Sequence, residues 1–105
     1  MFFAFAMHGT VMGEDNQLWS AEASGGVEAA VEERFDSPVV VGFMQHGGGD
    51  ASPRGDAHHE FARMEAIGEV AADTIYSLWE DTPTTTGPIH LEVALLASHA
   101  PGMAV

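Results

Sequence analysis

The chain has 105 residues, enough for one domain with a single modest core, and its 46% apolar and 18% charged composition is that of a globular protein. Sixteen acids stand against three arginines (Arg34, Arg54, Arg63) and no lysine, a formal net charge of −13 that excludes the basic patch needed to bind nucleic acid. No cysteine is present, which removes disulfides, thiolate metal sites and a cysteine nucleophile, and no apolar run approaches the roughly 20 residues of a transmembrane helix.

The opening "MFFAFAMHGT" is apolar and aromatic, and a loop rich in Gly, Asn and Asp follows it, so it reads as a buried strand ending near His8. It lacks the basic start and small-residue cleavage site of a signal peptide. Trp19, Ala23, Val27, Ala30 and Val31 then recur at helical spacing over 19–35, with Glu28, Glu32 and Glu33 on the other side. Gly25 and Gly26 have poor helix propensity, so the helix proper is expected over 26–34. After the punctuating "DSP", the apolar run 39–44 has the pattern of a parallel strand buried on both faces.

A glycine-rich loop comes next. Beyond it, Phe61, Met64, Ile67, Ala71, Ile75 and Leu78 lie three or four positions apart and predict a long helix over 58–79. "EDTPTTTGP" is a turn or linker, and 89–96 is a third strand candidate. The order strand, helix, strand, helix, strand predicts an α/β unit with a mostly parallel sheet and right-handed crossovers. His8 and the loop 45–52 both follow the carboxyl ends of parallel strands, the edge at which ligand crevices form in such sheets.

The loop "GFMQHGGGDASPRG" has no lysine after its glycines, so it is not a Walker phosphate cradle. Ser52 has Asp50 and Arg54 where an esterase elbow needs glycines. "HGGG", from His46 to Gly49, mimics the oxyanion-hole segment of some lipases, which keeps an α/β serine esterase open as an alternative. His59 and Glu60 are followed by Arg63 in place of a second zincin histidine, and His58 and His59 read as solvated residues at a helix start. What remains is a serine with an acid two residues before it and a proline after it, on a loop whose glycines permit unusual backbone angles and close approach to a ligand. Asp50 or Ser52 also suits a local turn, or a cap on a short helix from Pro53. An acidic, lysine-free surface stays hydrated in concentrated salt, which points to a soluble, salt-adapted (halophilic) protein.

"FAMHGTVMG" and "GFMQHGGGDASPRG" together resemble two segments of the neutral/alkaline ceramidase family: a strand ending in histidine, and a loop with the family's Gly-Asp-x-Ser-Pro-Asn ending. "SAEASGGVEA" resembles a degenerate form of the family's Ser-Gly-Asp-x-x-Gly stretch, and "FARMEAIGEVAADTIYSLWE" is similar to the helix after the serine loop, so the likeness runs along nearly the whole chain. It implies His8 as a zinc ligand and Ser52 as the active-site serine, with Gln45, Gly49, Asp50 and Pro53 shaping its loop. It implies as cofactor Zn2+, which polarises a carbonyl and activates water, as substrate ceramide or a related N-acyl lipid, and contact with a membrane surface. Arg54 departs from the family's asparagine, His46 and Gly47 from a Ser-Asn pair, and Glu22 from an aspartate.

The family's His-x-His segment and its later acidic and tyrosine ligands have no counterpart here. A catalytic zinc needs about three protein ligands, so residues 1–105 are expected to be one partial unit of a larger catalytic domain, truncated at both ends, with the remaining ligands elsewhere. The alternative is an inactive truncated homologue or a non-catalytic binding module.

Overall fold

The computed structural model describes residues 1–54, 60–88 and 90, with elements in the order β1 (Phe2–Phe5), α1 (Glu22–Glu32), β2 (Gly42–Gln45) and α2 (Glu60–Asp81). This is a small α/β arrangement, with β1 and β2 parallel and in register from Phe2 opposite Gly42 to Phe5 opposite Gln45. The third strand expected over 89–96 lies, apart from His90, outside the described residues, as do His58 and His59.

Helix α1 buries Ala23, Val27, Ala30 and Val31, the stripe its spacing predicts. It nevertheless begins at Glu22 rather than 26, and takes in Gly25 and Gly26. Low intrinsic propensity is outweighed here by packing, because the two helices meet backbone to backbone. A methyl group at Gly26 would lie 2.6 Å from the Met64 carbonyl oxygen of α2, and one at Gly68 would fall on the Gly26 carbonyl. Trp19, expected on the helix stripe, precedes the helix and is fully exposed.

Helix α2 has 22 residues, about 33 Å at the usual rise. It runs two residues beyond the expected end and buries Gly68, Ala72 and Ile75 against α1. Arg34, just past α1, donates to Glu69 at 2.7 Å and Asp73 at 3.0 Å on α2. Those hydrogen bonds, that to Glu69 foremost, hold the guanidinium pKa above its ordinary value.

The sheet is covered on one face. Phe3, Phe5 and Phe43 pack on the core and on one another, with centroids 5.1–5.8 Å apart, while Phe2, Ala4 and Met44 face outward. The run 39–44 is therefore not buried on both faces: Val41 is buried, but Val40 is 81% exposed and the ladder begins only at Gly42. Among the described residues no helix is long and apolar enough to cross a membrane.

Candidate functional site

The loops that leave the two parallel strands are fastened to one another. The His46 N–H donates to the Phe5 carbonyl at 3.2 Å, extending the ladder by one rung, and the His8 N–H donates to the Ala51 carbonyl at 2.8 Å. Thr10 Oγ1 and Ser52 Oγ share a hydrogen bond of 3.1 Å. Between these contacts the Ala51 N–H turns back to the Gly48 carbonyl at 3.0 Å.

Gly48 explains how the second loop sits so low on the first. It is buried, and a side chain there would meet the Met7 backbone nitrogen at 3.0 Å and strike the Gln45 side chain. No described glycine of the loop adopts a left-handed backbone, so close approach, not backbone freedom, is what this position demands. Gly47 and Gly49 would carry side chains into open space.

The result is a pocket of about 380 Å³ lined by His8, Gly9, Gln45, His46, Gly48 and Gly49 over buried Met7. The Gln45 amide, which donates to the His46 carbonyl at 2.8 Å, forms part of its wall. Of the residues expected from the sequence, His8, Gln45 and Gly49 line this pocket. Ser52 is exposed beside it, held by Thr10. Asp50 and Pro53 belong to the same loop but are not part of the lining.

Two acids hold the first loop from beneath. Glu22 accepts the Val11 N–H at 2.9 Å and the Met12 N–H at 3.2 Å, and Glu60, the first residue of α2, accepts the Gly13 N–H at 2.6 Å. Glu22 does so from a left-handed backbone with φ of 57°, a conformation unusual for a residue with a side chain. In the sequence Glu22 stood out only as a departure from the aspartate of the resembled family; nothing local marked Glu60 or Thr10 as partners of distant segments.

Among the described residues no group of three or more histidines, cysteines or acids is arranged to hold a metal ion. His8 and His46 nevertheless line one pocket, a partial donor set of the type zinc accepts. Compared with known proteins, the chain matches no family model, no curated protein and no solved structure.

Proposed function

We propose that the chain is part of a zinc-dependent amidohydrolase that cleaves the N-acyl amide of a ceramide-like lipid, with Ser52 and His8 as working residues. The observation that supports this most is the joining of the two loops, through His8 to Ala51 and Thr10 to Ser52, around one pocket at the carboxyl ends of parallel strands. The finer architecture expected from the sequence belongs to the same reading: a third strand over 89–96, within a larger catalytic domain.

Amide hydrolysis needs an attacking oxygen and a donor for the negative charge that develops on the carbonyl oxygen. Ser52 is exposed and its hydroxyl is aligned by Thr10, which suits it either to attack or to donate to that oxyanion. The Gln45 amide and the open side of Gly49 leave room beside it for the amide group. His8, with His46 in the same pocket lining, would hold zinc together with ligands from outside this chain, and bound zinc would supply a polarised carbonyl and a water acidic enough to attack. Leu18 and Trp19 are exposed side by side, an apolar pair suited to resting on a membrane surface that presents such a lipid.

The test is hydrolysis of a fluorescent N-acyl sphingosine by the protein as its gene encodes it, in concentrated salt. Activity should disappear on chelation, return with zinc, and fall with His8→Ala at fixed zinc concentration. Hydrolysis of simple esters alone, with fluorophosphonate labelling of Ser52 and no response to zinc, would instead identify a serine esterase.

A further inference from the structure

The parallel ladder stops one rung short at its carboxyl end, and a side chain is the cause. Gly42 and His46 of the second strand donate to the carbonyls of Met1 and Phe5, so the odd-numbered positions of the first strand turn their backbone groups toward β2. The next rung of a parallel pair would run from the Met7 N–H to the His46 carbonyl. That carbonyl instead accepts the Gln45 side-chain amide at 2.8 Å. Among the described residues no acceptor takes the Met7 N–H.

A second amide is left over beside it. In the loop after β2, His46 donates to Phe5 and Ala51 donates to Gly48, whereas the Gly48 N–H has no acceptor among the described residues. Met7 and Gly48 are both buried, and buried backbone N–H groups are rarely left without a partner. A methyl group at Gly48 would lie 3.0 Å from the Met7 nitrogen, which by covalent geometry puts the two nitrogens no more than about 5.5 Å apart. Two donors at that separation can share one oxygen, each at about 2.9 Å. The Gln45 side-chain nitrogen, which also lies against Gly48, spends one hydrogen on His46 and has a second to give. Met7, Gln45 and Gly48 all line the pocket that holds His8, and no carboxylate lines it although the chain has 16 acids.

We propose that the Met7 and Gly48 N–H groups, with the Gln45 side-chain amide, form an oxyanion site. Its ligand is the carboxylate of a fatty acid and, in the reaction, the carbonyl oxygen of the amide as it takes on negative charge. This rests on the proposed amide hydrolysis and names the donors that hydrolysis needs. Donors fixed by a strand end and a tied loop are in place before the substrate arrives, so stabilising the developing charge costs no reorganisation. Gln45 has two tasks here: it draws the His46 carbonyl away from the ladder and offers its remaining hydrogen to the same oxygen. Glycine is required at position 48 because a side chain would push the loop off Met7 and separate the donors.

The test is an amide NMR titration of the unaltered protein with sodium hexanoate, with a metal chelator present and total salt held constant. Hexanoate should move the Met7 and Gly48 amide protons downfield in a saturable way and slow their exchange at least about tenfold, and neutral hexanol should do neither. Gln45→Glu sets a negative charge beside the donors and should weaken hexanoate binding at least about tenfold, while the Val31 amide of α1 keeps its protection from exchange. Silence of either amide overturns the assignment, as does an equal response to hexanol or binding that Gln45→Glu leaves untouched. Chelation removes zinc and nothing is turned over. Responsive amides in an inactive protein therefore count against the hydrolase and not against this site, and silent amides in an active one do the reverse.

Discussion

Thr10 Oγ1 and Ser52 Oγ lie 3.1 Å apart although 42 positions separate them in the chain. This contact links the loop after β1 to the loop after β2, and it holds in place the hydroxyl oxygen on which the proposed chemistry depends. Thr10→Val keeps the shape and removes the hydrogen-bond partner. It should lower turnover of an N-acyl lipid by about tenfold, the worth of one hydrogen bond in the transition state. Because both residues are exposed, the melting temperature should barely change, and Thr10→Ser should restore the rate.

Glu22 should matter for stability more than its position suggests. Its carboxylate accepts two backbone N–H groups of the first loop, and a charged acceptor in a partly buried site contributes about 1.5–3 kcal/mol per bond at most. Alanine at this position keeps the left-handed backbone and its cost of about 1–2 kcal/mol while losing both bonds. Glu22→Ala should therefore destabilise by about 2 kcal/mol in urea unfolding, and Glu22→Gln, which keeps one oxygen acceptor, by about half as much.

Gly68→Ala offers a test of sign. An alanine in a helix interior is ordinarily about 1 kcal/mol better than glycine. Here the added methyl meets the Gly26 carbonyl, with its carbon at 2.8 Å, and that is backbone which cannot rotate away. Gly68→Ala should destabilise by about 1–3 kcal/mol, read as a lowered melting temperature.

How much of this the sequence disclosed depended on the range of the interactions. The alternation of strands and helices and the α1 stripe of Ala23, Val27, Ala30 and Val31 were legible because periodicity is local. The start of α1 was not, because Gly25 and Gly26 look like breakers until α2 is laid against them. The exposure of Val40 was hidden for a similar reason: an apolar run does not say how many layers cover it. At the site, the rule that ligands gather at the carboxyl ends of parallel strands put His8 at the same edge as the loop 45–52, of which Gln45, His46, Gly48 and Gly49 line one pocket with it. The hydrogen bond from Thr10, the carboxylate of Glu60 and the position of His46 depend on how distant loops cross, and spacing carries no trace of them.

Salt should stabilise the fold. With 16 acids, three arginines and no lysine, repulsion among carboxylates outweighs the exposed pairs that Arg34 makes with Glu69 and Asp73. Screening therefore removes more repulsion than attraction. The melting temperature should rise by roughly 5 °C or more between dilute buffer and about 2 M NaCl. A fall would show that the few ion pairs govern, and would remove the basis for reading the surface as salt-adapted.

The most direct measurement for the proposed activity is the rate at which the gene-encoded protein, supplied with zinc, hydrolyses N-acyl sphingosine before and after Ser52→Ala. The unaltered protein should be active and the variant slower by at least about 100-fold, with an unchanged melting temperature. A folded, zinc-supplied protein with no activity on any N-acyl lipid, or one whose rate is untouched by Ser52→Ala, contradicts the account.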